Sequence, residues 1–258
     1  MTRTRNGTRW SYDAIADVYA TDMGQSMPFD DVGWYRSLCL QHGGPVLELG
    51  CGTGRILLEL LAAGVDAIGA DRSLPMLRRL RKDAVARQLQ ARIVQMDLRA
   101  IALAGQFRSI LAPYSLITYL IDRAVAIDVL HTLCDLLTAD GMLVVDAFVP
   151  QPVVSFRDFR LDYRRVHGTG VLERYKRITA DADGTNRIER RYRLSATDGG
   201  VSEEFVTDET IRPYTPGAIL DVCTMAGLGK ADWSFDYGTR ASAEGARFAT
   251  GVFRKQDT

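Results

Sequence analysis

Three glycines at alternate positions, Gly50, Gly52 and Gly54, follow a short apolar run, Val46-Leu-Glu-Leu49, and precede the leucine-rich stretch Arg55-Ile-Leu-Leu-Glu-Leu-Leu-Ala-Ala63. Adjacent apolar residues suit a strand buried on both faces, and the leucine run, stopped by Gly64, suits an amphipathic helix. Glycine belongs in the turn between them. Only a residue without Cβ permits so tight a reversal and lets backbone N–H groups approach a ligand at the positive end of a helix. The chemistry this points to is the holding of a nucleotide-like cofactor. A dinucleotide fingerprint, G-x-G-x-x-G, would place its third glycine where this chain has Arg55. Glu48, two residues before the first glycine, would repel a pyrophosphate and favours a cationic ligand.

The segment Glu48-Leu-Gly-Cys-Gly-Thr-Gly54 resembles the first motif of the class I S-adenosylmethionine-dependent methyltransferases, whose cofactor carries an ammonium and a sulfonium. The resemblance implies that Glu48, Gly50, Cys51 and Gly52 line the cofactor. A second strand, Val65-Asp-Ala-Ile-Gly-Ala-Asp71, ends in a carboxylate placed to accept from a ribose diol, followed by Arg72 and a helix from about Leu74 to Gln88. Pro75 is tolerated in the first turn of that helix. Met76 is similar to the family's hydrophobic residue over one face of the adenine, although an early helical methionine is also ordinary core. A third strand, Ala91–Met96, runs into Asp97-Leu98. This pair resembles the family motif in which an aspartate accepts from the adenine amino group and the next backbone N–H meets the ring. The fourth strand, Phe107–Tyr114, brings Ala112 to the cofactor and departs from the family, which often has an aspartate where Arg108 or Ser109 stands.

The resemblance further implies that Ser115–Leu120 crosses the sulfonium end. That makes Tyr114 and Tyr119 candidates for the acceptor pocket, with Tyr119 also a catalytic candidate, and Phe148 joins them from the end of the fifth strand, Met142–Phe148. Near the N-terminus, Ser11–Ala20 reads as a helix with Tyr12, Ile15, Ala16 and Tyr19 on one face. It looks like the N-terminal helix of many small-molecule methyltransferases, whose tyrosines lie near the methionine carboxylate or the reactive centre; a plain amphipathic cap has the same pattern. A helix from about Pro28 to Leu40 leads into the core.

Beyond Pro150 and Pro152 the period changes to two. Gly170–Thr179, Asn186–Leu194 and Glu203–Ile211 alternate as strands, separated by turns at Asp183-Gly184 and Asp198-Gly199-Gly200. A helix over Pro216–Gly227 and strands Trp233–Tyr237 and Arg247–Phe253 complete the pattern. The expected fold is α/β, a doubly wound, mostly parallel seven-stranded Rossmann-like methyltransferase sheet with an inserted antiparallel β lid. Its divisions are an N-terminal helical cap over 1–44, a cofactor-binding core over 45–154 and 213–258, and a lid over 155–212.

The lid is arginine-rich. Residues 157–193 hold eleven Arg or Lys against six Asp or Glu, which reads as a self-paired sheet face or as a site for an acidic acceptor. The lid resembles that of aminosugar N-methyltransferases, where it roofs the acceptor pocket or joins two subunits, so a homodimer is possible. Tyr163 and His167 are its first substrate and base candidates.

Lys plus Arg and Asp plus Glu both number 32, so no overall basic field exists to hold a nucleic acid. The four cysteines lack metal-ligand spacing, no apolar run approaches the ~20 residues of a membrane span, and the basic N-terminus is not followed by an apolar region. A cytoplasmic, metal-independent enzyme acting on the amine or hydroxyl of a small molecule is expected. Two alternatives stay open: an NAD-dependent dehydrogenase, and a cofactor-binding regulatory protein without catalysis.

Overall fold

The buried apolar runs become the strands of a parallel sheet because such strands are covered on both faces and need no polar side. The structure, a computed structural model, describes residues 3–4, 11–23, 27–151, 155–196, 200–229 and 231–256. In chain order the elements are β1 (Arg3–Thr4), α1 (Ser11–Ile15), α2 (Tyr19–Met23), α3 (Asp31–His42), β2 (Val46–Leu49), α4 (Leu57–Ala62), β3 (Ala67–Asp71), α5 (Leu74–Ala86), β4 (Arg92–Gln95), β5 (Phe107–Ala112), a 3-10 turn (Leu116–Tyr119), α6 (Arg123–Asp135) and β6 (Leu137–Phe148). There follow β7 (Phe156–His167), β8 (Gly170–Ala180), β9 (Asn186–Ser195), β10 (Val201–Ile211), α7 (Pro216–Met225), β11 (Asp232–Phe235) and β12 (Phe248–Arg254).

The chain forms two compact units. One is Phe29–Pro150 with Pro213–Thr258. Its seven strands lie in the order β11-β12-β6-β5-β2-β3-β4. The five strands from β6 to β4 are parallel, and β12 and β11 run antiparallel at one end, as the doubly wound methyltransferase sheet requires. Every residue of β2 is buried, as is β6 from Gly141 to Ala147. Helices start where short polar side chains cap them: Asp30 accepts from Gly33 N–H for α3, Ser73 Oγ from Met76 N–H for α5, and Thr215 from Ala218 N–H for α7. Helix α4 begins two residues later than expected, because Arg55 and Ile56 complete the glycine turn.

The other unit is Met1–Pro28 with Gln151–Arg212. Strands β7 to β10 form an antiparallel meander, and β1 adds a parallel edge to β10. The sequence marked three of these strands. It did not mark β7, a kinked edge strand whose register shifts twice against β8 and whose mixed charges break the alternation. The Asp183-Gly184 turn is present, with Asp183 accepting from Thr185 N–H and Gly184 at φ +82°; residues 197–199 of the other expected turn lie outside the described residues.

The charges of this sheet pair among themselves. Arg164 meets Glu173, Arg177 meets Glu189, Arg187 meets Asp208 and Arg190 meets Glu209. The expected single helix over Ser11–Ala20 is broken into α1 and α2 by a turn over Ala16–Val18, and Ile15, Ala16 and Val18 are all buried. The expected 1–44 cap is likewise divided. Helices α1 and α2 bond to the β7–β10 sheet of their own unit, whereas α3 bonds within the other unit through Asp31 and Tyr35.

Candidate cofactor and acceptor site

The site is built at the carboxyl ends of β2, β3, β4, β5 and β6, where open parallel sheets hold ligands. Gly50 and Gly52 have φ of +63° and +53°, so glycine removes the strain of that turn. At Gly54 space decides as well: a Cβ would lie 2.8 Å from Leu80 Cγ. Asp71, closing β3, holds this loop. Its Oδ2 accepts from Gly52 N–H at 2.8 Å and its Oδ1 from Ser73 N–H at 2.7 Å, so one carboxylate ties the glycine loop to the start of α5. Arg72 follows it, half exposed, within 3.6 Å of Asp97. Cys51 is buried and lies so close under β3 that a Cβ on Gly69 would come within 2.7 Å of its sulfur. Burial pushes its thiol well above the ordinary range, which fits a packing role.

Glu48 is only 2% exposed. Leu57 N–H bonds its carboxylate, in place of a side-chain cap for α4, while Oε2 has no partner. Burial pushes it up to about 8, against the pull of Arg55. An unpartnered buried acceptor costs about 1–3 kcal/mol, and an ammonium donor would satisfy this one. The residues present therefore fit a cationic cofactor.

Asp97 accepts from the backbone N–H and the guanidinium of Arg99, which hold its carboxyl down to about 2. Leu98 beside it is half-buried. Met76 is 1% exposed in the first turn of α5, within the packed core.

Ala112 ends β5, buried, and the chain then takes two consecutive left-handed non-glycine residues, Tyr114 at φ +53° and Ser115 at +60°. Ser115 N–H donates to Asp146 Oδ1 at 2.9 Å, and Ser115 Oγ accepts from Phe148 N–H at 2.8 Å. Asp146 Oδ2 accepts from the hydroxyls of Tyr35 and Tyr237, both at 2.7 Å. Burial pushes the Asp146 carboxyl up while these donors pull it down. The rings of Tyr114 and Phe148 meet edge-on at 5.6 Å between centroids, and Phe248 lies 4.7 Å from Phe148. Tyr119 is half-buried in the 3-10 turn. Arg55 joins this corner to the glycine loop: it is bidentate to Asp31 at 2.7 and 2.6 Å, and its guanidinium lies 6.0 Å from the Tyr114 ring centre.

In the other unit, Tyr12 and Tyr19 meet edge-on at 6.0 Å. The Tyr163 and Tyr192 hydroxyls and Arg174 all bond Asp22 in α2. His167 Nδ1 lies 2.8 Å from the Thr21 hydroxyl. Among the described residues no three His, Cys, Asp or Glu side chains gather where a metal ion would sit, and no helix is long and apolar enough to cross a membrane.

Residues 46–141 match a family model described as a methyltransferase domain. A "putative methyltransferase YqeM" of Bacillus subtilis is 28% identical over 136 residues, 52% of this chain and 54% of that protein, so the chain aligns with about half the length of that curated relative. The CcbJ methyltransferase from Streptomyces caelestis superposes with a TM-score of 0.81 at 24% identity, covering 96% of this chain and 99% of that one. The chain carries the class I methyltransferase fold. The sugar N-methyltransferase KedS8 from Streptoalloteichus shares the fold at a TM-score of 0.75 and 19% identity, with 99% and 98% of the two chains covered.

Within this methyltransferase fold, sequence reasoning missed Asp146 with Tyr35 and Tyr237, and the Arg55–Asp31 pair. One signal was legible. A carboxylate inside Met142-Leu-Val-Val-Asp-Ala-Phe148 stands in a buried strand and must find donors. Which donors was not legible, since Tyr35 is 111 residues away and Tyr237 is 91.

Proposed function

We propose that this chain transfers the methyl group of S-adenosylmethionine to the nitrogen of a small amine, without a metal. The observation that carries the reading is the partnerless buried oxygen of Glu48 beside a left-handed glycine loop at the carboxyl edge of the sheet. When bound, S-adenosylmethionine would supply the methyl on a sulfonium whose sulfur leaves as a neutral thioether. The chain's own residues bind and align. Glu48 takes the ammonium, and the Gly50–Gly52 backbone allows close approach. Asp71, which accepts from the Gly52 and Ser73 N–H groups, stands at the carboxyl end of β3, where a ribose diol is held. Asp97 and Leu98 border the adenine, and Tyr114, Tyr119 and Phe148 face the acceptor. Alignment of the acceptor lone pair with the S–CH3 bond and exclusion of water are what remains to be done.

An amine needs no more than that, whereas a hydroxyl needs a base. The pairing of the lid arginines with lid carboxylates favours a neutral or cationic acceptor over an acidic one, and the likeness to a sugar N-methyltransferase favours nitrogen.

Calorimetry tests the cofactor: S-adenosylhomocysteine is expected to bind and NAD is not, and the reverse would establish the dehydrogenase reading. The pH profile tests the acceptor. With an amine, activity rises as the amine loses its proton and survives in His167→Ala; loss in that variant, with activity falling as a histidine protonates, would assign a hydroxyl acceptor and His167 as its base.

A further inference from the structure

We propose that Tyr114 and Phe148, backed by Phe248, form an aromatic platform that takes the carbon-bearing face of a ring-shaped amine acceptor, and that Asp146 is the positioning residue that holds it. The proposal rests on the methyltransferase reading above and names the acceptor's shape.

The platform stands where an acceptor belongs. It lies at the carboxyl ends of β5 and β6, and β5 is the immediate neighbour of β2, which carries the glycine loop. Strands are about 4.8 Å apart, so a ring on the platform is roughly one to two strand spacings from the loop. The Arg55 guanidinium over Tyr114 makes the adjacency direct. Phe148 is 43% exposed although residues 142–147 of its strand are buried. Its ring packs against both Tyr114 and Phe248, whose centroids are themselves 6.0 Å apart, and Phe248 is only 3% exposed. Such a surface offers electron-rich ring faces, which favour the slightly positive C–H bonds of a saturated ring and an adjacent ammonium.

Asp146 is tied, through Ser115 and Tyr237, to the segments that carry the three rings. Two consecutive left-handed non-glycine residues persist only where their surroundings impose them, and Asp146 does so at Tyr114-Ser115 through the Ser115 N–H. Ser115 Oγ then fixes the Phe148 N–H. A second left-handed pair, Asp236 at φ +46° and Tyr237 at +55°, meets the same carboxylate through the Tyr237 hydroxyl. Asp236 Oδ1 accepts from the N–H groups of Arg247 and Phe248 at 2.8 and 2.9 Å, which holds the third ring.

The test uses the full chain saturated with S-adenosylhomocysteine and two probes of equal carbon number and charge, cyclohexylamine and n-hexylamine, with affinity read by NMR titration. The ring is expected to bind about three- to tenfold more tightly than the chain. Phe148→Leu keeps the bulk at an exposed position and is expected to abolish the preference. Tyr237→Phe and Asp146→Asn, which weaken the hub without touching the platform's exposed face, are expected to reduce it while S-adenosylhomocysteine affinity stays the same. That split is one a merely destabilised protein would not give. Equal binding of the two probes by wild type, or a preference intact in Phe148→Leu, overturns the platform; a preference intact in both hub variants overturns the role of Asp146. Failure of wild type to bind S-adenosylhomocysteine would instead overturn the methyltransferase reading.

Discussion

Glu48 shows how the burial of a single carboxylate makes stability depend on pH. It titrates at about 8 in the folded chain against an ordinary 4.5. Below 4.5 folded and unfolded chains both keep the proton, and burial exacts no ionisation cost. As pH rises through that value the unfolded chain ionises first. The folded state then loses about 1.4 kcal/mol per pH unit until ionisation at about 8. Glu48→Gln has no such proton to lose. Its denaturation midpoint is expected to gain on wild type steadily across that window, and parallel pH profiles for the two proteins would show that the carboxylate is not the cause. A bound ammonium reverses the balance by favouring the ionised form.

At the scale of elements, α2 is a short piece with several polar attachments to distant strands. Five residues long, it is too short to stand alone in water. Asp22, 4% exposed, receives the hydroxyls of Tyr163 and Tyr192 and the guanidinium of Arg174, and Arg165 bonds the carbonyls of Thr21 and Asp22. The helix is therefore held by β7, β8 and β9, not by its own propensity. Asp22→Asn removes the charge from this cluster and is expected to cost about 1–3 kcal/mol. The effect should appear as faster hydrogen exchange at Tyr19–Met23 with β8 and β9 still protected. Loss of protection throughout the sheet would mean that Asp22 supports the whole unit and not the helix alone.

For the whole molecule, the two units differ in what holds them. The unit of Phe29–Pro150 and Pro213–Thr258 has a continuous apolar core built from β2, β5, β6, α6 and α7, whereas the sheet of the other unit is laced by ion pairs. Ligand binding to the folded state alone adds RT ln(1 + [L]/Kd), about 2.7 kcal/mol at a hundredfold excess over Kd. Saturating S-adenosylhomocysteine is accordingly expected to raise the Tm and to slow exchange at 50–54 and 71–73, while NAD at the same concentration changes neither. A raised Tm without protection of those two loops would place the ligand elsewhere.

The strand, loop and helix around Gly50–Gly54, and the acids at the ends of β3 and β4, were legible in the sequence because each depends on local rules: the period of apolar residues, the backbone freedom of glycine and the length of one crossover. Three things depended on tertiary structure. Asp146 announced a need for donors, but Tyr35 and Tyr237 became those donors only when α3 and the chain after β11 were packed beside β6. The arginine excess of this sheet could not be told from a binding face until β7–β10 set Arg177 opposite Glu189 in register and brought Arg187 diagonally onto Asp208, two positions from its register partner Thr210. The N-terminal helix read as one amphipathic cap, yet its halves are oriented by what they bury and by the partners of Asp22, most of them more than 140 residues away. Local pattern specifies which backbone conformations are cheap; the choice of a partner for a buried charge belongs to whichever distant donor the packed fold brings within 3 Å or so.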